Sequence, residues 1–461
     1  MGYDLIILGG GPGGYTAAIR AGQLGMKTAL IEKEEIGGVC LHHGCIPSKA
    51  FLKSAEVLSI VQHATEFGIE VGEIKPNFPA VVTRSDKIIK RLHRGLLHLM
   101  KKNKVEVHTG VGRFLSSHEI QVLGGLDGEK QIKADQVIIS TGSRVRSWPN
   151  LKNDGVRVFT SDEALKQSTL PRSILVIGGG AVGVELAYFY SVFGVVVMLV
   201  EMAPALLPME DREISILLKR SLEKRGITVL TQTRIDSIKD QGDHFIVHFD
   251  GVEKTFRTDA VLVAIGREPV TAGLDLKKAG VKIEEESRAI LVDEKMQTSQ
   301  PGVFAIGDVT TRPALAHGAM AQGVYVAESI AGIEREPIDP HTIPNAIYCH
   351  PEVASVGLTE EAAKAAGLQI KIAKYPLSGN ARAVTLNETD GFVKLISDPS
   401  GHILGAHLIG PGVTELISEI VLAKSLGARA LDIKRAIHPH PTLSEAIMEA
   451  GGALFGQAIH L

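Results

Sequence analysis

Short apolar runs that end in glycine clusters punctuate the chain, and the first of them has a copy. Asp4–Leu8 reads as a buried strand, followed by the turn Gly9-Gly10-Gly11-Pro12-Gly13-Gly14, an alanine-rich helix and a second strand, Thr28–Glu32. The plan returns as Ser173–Ile177, the turn Gly178-Gly179-Gly180-Ala181-Val182-Gly183, a helix from Val184 and a strand Val195–Glu201. Strand-length apolar runs bounded by turn residues fit strands buried on both faces of a parallel sheet. In each copy an acidic residue, Glu32 or Glu201, falls 18 positions after the third glycine of G-x-G-x-x-G. That spacing matches the roughly 20 residues of a dinucleotide-binding βαβ unit. An α/β protein with two Rossmann-like units is therefore expected.

Between the copies, residues 85–103 read as helix, short strands run to Val137–Ser140, and Asn150–Pro171 crosses to the second unit. A strand Ala260–Ile265 ends at Gly266-Arg267-Glu268-Pro269; later Val303–Ile306 leads into Gly307-Asp308 and a helical run from His317. From Pro344 the pattern changes to alternating strands with two helices, an α+β domain. The predicted divisions are 1–149, 150–270, 271–343 and 344–461.

Composition narrows the classes. At 461 residues the chain exceeds one ordinary core. A net charge of −3 gives no bulk attraction to nucleic acid or anionic lipid. No apolar run approaches the ~18 residues of a membrane span, and no signal-peptide pattern precedes the first strand, so a soluble, cytoplasmic protein is expected. Cys40, Cys45 and Cys349 are too few to act as staples.

In the glycine loops, Gly9 and Gly178 serve the tight turn, Gly11 and Gly180 admit a pyrophosphate, and Gly14 and Gly183 allow close helix packing. Glu32 and Glu201 can accept from ribose hydroxyls. A carboxylate at Glu201, with Met202, Ala203 and Pro204 following and no nearby Arg, favours NAD over NADP.

Cys40 and Cys45 lie five positions apart in Gly37-Gly38-Val39-Cys40-Leu41-His42-His43-Gly44-Cys45-Ile46-Pro47-Ser48-Lys49. The spacing puts the thiols about one helical turn apart, near enough for a disulfide if that turn distorts. His42 and His43 raise zinc as an alternative, but a second paired ligand set, usual in structural zinc sites, is not visible. A redox-active disulfide fits better, and no metal is expected. Passing electrons between a disulfide and a nicotinamide needs a two-electron intermediary, so FAD is assigned to the first unit and NAD to the second. Asp308 is a candidate partner for the ribityl chain.

The segment G-G-x-C-x-x-x-x-G-C-I-P-S-K resembles the pyridine nucleotide-disulfide oxidoreductase family, in the form of its dihydrolipoamide-oxidising branch. The resemblance runs from Asp4 to the final helix. It implies that Cys40 exchanges disulfides with substrate, that Cys45 lies against the flavin, and that Lys49 sits near it, paired with Glu185. His438-Pro439-His440-Pro441-Thr442-Leu443-Ser444-Glu445 is similar to the family's H-x-H-P-T-x-x-E signature. By that match His440 is the catalytic base and Glu445 its orienting carboxylate. An imidazole suits the task because a dithiol attacks as thiolate and needs a proton acceptor that titrates near neutrality.

The same resemblance implies an obligate homodimer, joined through the segment from Pro344, in which His440 serves the other subunit's disulfide. It adds Gly112, Thr141, Gly142, Ser143, Ala316 and His317 on the flavin side, and Ile235 and Gly266 on the NAD side. The partner it implies is a lipoyl domain of a 2-oxoacid dehydrogenase or glycine cleavage complex. The chain departs from the family pattern at Val39, where Thr is usual, at His42 for Asn, Pro439 for Ala and Cys349 for Thr.

Overall fold

The computed structural model describes residues 2–125, 128–149 and 151–461. Asn150, the expected start of the crossing segment, lies outside the described residues. The first strand, Gly2–Leu8, lies between Thr28–Glu32 and Lys130–Ile139, parallel to both. Glu106–Thr109 extends the sheet beyond Thr28–Glu32, and Val303–Ala305 pairs in parallel with Lys130–Ile139. Antiparallel strands Glu119–Leu123 and Val111–Ser116 continue it past Lys130–Ile139. Residues far beyond the second glycine loop thus return to complete the first sheet.

The second sheet orders Thr228–Leu230, Val196–Val200, Ser173–Ile177, Ala260–Val263 and Val158–Thr160, every neighbouring pair parallel. The C-terminal sheet is antiparallel: Asn345–Ile347, Glu352–Gly357, Ile403–Gly410, Phe392–Ser397 and Lys371–Pro376. The mixed α/β character agrees with the sequence pattern because every central parallel strand is a buried apolar run. Leu5, Ile6, Ile7, Ile174, Leu175 and Val176 are fully buried.

Several elements differ from expectation. The helix expected over 85–103 runs Phe78–Lys102, starting earlier because Asn77 caps it: its side chain accepts from the Ala80 N–H at 3.1 Å, and a proline stands in the first turn. The C-terminal region holds five α-helices among the described residues rather than two. Three of these, Glu360–Ala365, Ala381–Leu386 and Ala430–Arg435, have six residues each and are too short to show a helical period. No helix among the described residues is long and apolar enough to cross a membrane.

One core cluster joins what the sheets separate. Phe51, on the helix Cys45–Gln62, packs on Phe78 and Phe189 with ring centroids 6.0 and 5.2 Å away. The same cluster includes Ile174, Leu199, Ile347 and Val353. The cysteine-bearing helix is thereby fixed against both the second dinucleotide unit and the C-terminal sheet.

Candidate functional site

Parallel register brings the ends of the first two strands together, so the Gly9 loop abuts Glu32. Gly9 takes φ of 100°, and a Cβ there would stand 2.3 Å from the Ser140 carbonyl oxygen. A Cβ on Gly14 would meet the Gly9 oxygen at 1.9 Å, whereas one on Gly11 meets only open space. Glu32 accepts from the Gly10 N–H at 2.7 Å and from the Glu34 N–H at 2.9 Å. The second loop repeats this almost atom for atom. Gly178 has φ of 107°, Gly183 would strike the Gly178 oxygen at 1.9 Å, and Gly180 faces open space. Glu201 accepts from Gly179 and Ala203 N–H groups, each at 2.6 Å. Each loop leaves, at its second glycine and at a helix N-terminus, a cradle that a side chain would fill, so the residues present suit a pyrophosphate.

The redox segment is built onto the first loop. Gly37 N–H donates to the Gly10 oxygen at 2.8 Å, and a Cβ on Gly38 would lie 2.7 Å from Gly11 Cα. Cys40 and Cys45 are not on one turn, as the spacing suggested. Cys40 sits in the short helix Gly38–His42, the chain breaks at His43 and Gly44, and Cys45 opens the helix Cys45–Gln62. The N-terminal end of that helix favours a thiolate. The hydrogen bond from Cys40, aided by the Lys49 charge against the effect of burial, brings Cys45 down to about 7. Cys40 moves the opposite way, because its hydrogen bond to Cys45 and its burial both keep the proton on it.

One turn along, Lys49 Nζ lies 3.0 Å from both carboxylate oxygens of Glu185, on the helix that follows the second glycine loop. Tyr348, which the sequence reading missed, completes this pair. Its N–H donates to Glu185 at 2.9 Å and its ring lies 4.6 Å from Lys49 Nζ. No local pattern marks it; its position follows only from the C-terminal sheet docking beside both units. Next to it Cys349 is buried, its thiol donates to the Pro351 oxygen at 3.2 Å, and burial pushes its pKa up, so it is a poor nucleophile.

The remaining sequence candidates divide by position. Ser143 Oγ donates to Asp308 at 2.6 Å and accepts from Arg267 Nε at 2.8 Å, a contact across three strand ends. In the sequence Arg267 marks only the end of the strand expected over 260–265. Thr141 donates to the Val270 oxygen at 2.7 Å, and Gly142, with φ of 67°, faces open space. Ala316 starts the helix Ala316–Ile330, and His317 Nε2 reaches the Pro344 oxygen at 2.6 Å. Gly112 packs beneath Leu8 and Ile31, Ile235 pairs with Phe249, and Gly266 takes φ of 100° with open space around it.

His440 follows the C-terminal sheet in the chain, and its side chain is 72% exposed. Its Nδ1 donates to Glu445 Oε1 at 2.9 Å, while the Thr442 N–H holds Oε2 at 2.8 Å. Burial opposes ionisation of Glu445, but these two donors outweigh it and hold the carboxyl below its usual range. A carboxylate accepts only, so the neutral imidazole presents its lone pair at Nε2 to solvent. His438 is different: its side chain is only 6% exposed, with Nε2 held by Glu419 at 2.8 Å.

A family profile described as pyridine nucleotide-disulphide oxidoreductase matches residues 3–323, and that family's dimerisation domain matches residues 343–451. A protein named dihydrolipoyl dehydrogenase from Bacillus subtilis (strain 168) is 45% identical, over 99% of each chain. One of the same name from Zymomonas mobilis is 43% identical over 99% of each. Among solved structures, LpdA from Mycobacterium tuberculosis superposes with a TM-score of 0.91 at 28% identity, covering 97% of this chain and 98% of that one. The Cu(II) complex of the HOCl-induced flavoprotein disulfide reductase RclA from Escherichia coli follows with a TM-score of 0.87 at 26% identity, covering 98% and 99%. Two duplicated glycine loops, a thiol pair laid on the first of them and full-length relatives together identify the chain as a member of the pyridine nucleotide-disulphide oxidoreductase family, FAD- and NAD-dependent oxidoreductases.

Proposed function

We propose that the protein oxidises protein-bound dihydrolipoamide to lipoamide and reduces NAD, through a disulfide between Cys40 and Cys45. The carrying observation is the position and asymmetry of the thiol pair. Cys45, biased to thiolate, opens a helix from which Lys49 reaches Glu185 behind the second glycine loop, while Gly37 and Gly38, just before Cys40, pack on the first. The names of the full-length relatives support the substrate class. A homodimer with a shared site, a lipoyl domain as partner and a cytoplasmic setting belong to the same reading, as do divisions near 149, 270 and 343.

In this scheme the first loop, with Glu32 and Asp308, holds FAD, and the second, with Glu201, holds NAD. Bound FAD supplies the two-electron link between the thiols and NAD. The protein's own groups handle the protons and sulfur. His440 Nε2 accepts a substrate thiol proton, and the thiolate attacks Cys40 Sγ. The Cys40–Cys45 bond breaks and its electron pair stays on Cys45, where the helix N-terminus and the Lys49 charge favour the thiolate. The second substrate thiol then attacks the mixed disulfide and a cyclic disulfide departs; that thiol's proton passes to the released Cys40 sulfur, which its hydrogen bond to Cys45 and its burial keep protonated. One dithiol is oxidised for each protein disulfide reduced.

The test is turnover of dihydrolipoamide with NAD⁺ beside NADP⁺, and of glutathione disulfide with NADH. Rapid reduction of NAD⁺ alone is expected. Inert dihydrolipoamide with active glutathione disulfide would move the substrate to another small disulfide.

A further inference from the structure

We propose that Glu35, His42 and His93 form a binding site for one divalent transition-metal ion of the Zn(II) type, beside the redox helix. One ligand atom from each of the three residues lies within 4.8 Å of the other two. They come from three separate segments: the loop after the second strand, the short helix Gly38–His42 and the long helix Phe78–Lys102. Two imidazoles and a carboxylate, with a remaining position for water, are a donor set that suits zinc.

The second observation is how the rings are held. The Ile36 carbonyl lies 3.0 Å from His42 Nε2 and 3.0 Å from His93 Nδ1. A carbonyl only accepts, so both of those nitrogens donate, the outer contact that usually orients metal-binding histidines. For His42 this leaves Nδ1 as the lone-pair nitrogen of the neutral ring, yet it faces Glu35 Oε2 at 3.3 Å. Two lone pairs at that distance call for a cation between them. A proton there would join two of the three residues; an ion of this class joins all three and accounts for His93, whose ring centroid is 5.3 Å from that of His42. His42 is only 10% exposed in its side chain, whereas Glu35 is 68% exposed and gives the site its opening. An ion here would pin the Cys40-bearing helix to the long helix behind it. His93 lies 51 positions beyond His42, outside any local ligand pattern.

The site does not depend on the dithiol reaction, and the test separates the two. Equilibrium dialysis of oxidised FAD-loaded protein against buffered Zn(II) should give one ion per chain and a raised melting temperature. His93→Gln and Glu35→Gln should each weaken binding at least ~10-fold, with flavin content and turnover in metal-free buffer unchanged. The Cys40→Ser, Cys45→Ser double variant should bind Zn(II) as the parent does. Absence of stoichiometric binding, or binding that survives both ligand variants or disappears with the cysteines, overturns the proposal.

Discussion

Cys45 and Cys40 carry the same side chain and shift in opposite directions: the hydrogen bond between them sets them apart, since burial raises both and Lys49 lowers both. The Cys40 thiol donates to Cys45, Lys49 adds a positive charge, and burial opposes both, leaving Cys45 at about 7. Above that pH the thiolate persists; below it the proton returns. Lys49→Met removes the favourable charge and leaves Glu185, itself a raising influence, without its cation. The pKa of the reduced protein's thiolate, followed by its ultraviolet absorbance against pH, should therefore rise toward the ordinary thiol value near 8.5; an unmoved titration would show that Lys49 does not act on Cys45. The glycines allow a second contrast. Gly183→Ala places a methyl 1.9 Å from the Gly178 oxygen and should disrupt the loop, whereas Gly180→Ala meets no protein atom. Gly180→Ala should keep its melting temperature while KM for NAD rises severalfold, measured at saturating dithiol. The tight turns at Gly9 and Gly178, the close packing at Gly14 and Gly183 and the placement of the two acidic residues beside the loops were legible in the sequence because each depends on backbone within one βαβ unit. Tyr348 and Arg267 were not, because their contacts cross between units whose docking no local pattern encodes.

At the scale of elements, the strands were legible and the joints between them were not. Apolar runs such as Ser173–Ile177 announce themselves, but a buried lysine in the strand Phe392–Ser397 looks like an ordinary polar position. Lys394 is in fact 1% exposed in its side chain and reaches Asp211 at 3.0 Å, Glu213 at 2.9 Å and Glu360 at 2.6 Å. Asp211 caps the helix Arg212–Lys224 behind the second sheet, so this cluster ties the C-terminal sheet to the NAD-side unit. Removing Lys394 takes the paired cation from the buried Asp211 carboxylate, while Lys374 and Lys364 still reach Glu213 and Glu360. Lys394→Met should cost about 3–5 kcal/mol in denaturant unfolding, with no change in flavin content of the folded fraction. A loss below ~1 kcal/mol would place the pair among weak surface bridges. The redox segment makes the same point about joints. Five-residue spacing suggested one distorted turn, but the helix stops at His43 and restarts at Cys45, because the segment must also dock on Gly10 and Gly11.

The whole molecule leaves the proposed base, His440, facing solvent. His440 is oriented by Glu445 with its side chain 72% exposed, and apolar residues of the same domain are bare: Ile437 is 98% exposed, Leu426 74% and Ile459 72%. Such surface is what a symmetric dimer covers, and the dimerisation-domain match over 343–451 agrees. In the proposed scheme a single chain then holds both halves of the chemistry without joining them. Two inactive variants distinguish the arrangements. Cys40→Ser removes the exchanging sulfur, and His440→Gln removes the base, which should lower kcat by ~10²–10⁴. In a heterodimer of the two, purified through separate tags, a site shared between subunits leaves one position with both lesions and the other with neither. About half the wild-type kcat should then return, one intact site of two. If each chain instead used its own histidine, both positions would carry a lesion and the heterodimer would stay as inactive as its parents. Recovery of activity on mixing two dead proteins has no source other than a base and a disulfide contributed by different chains.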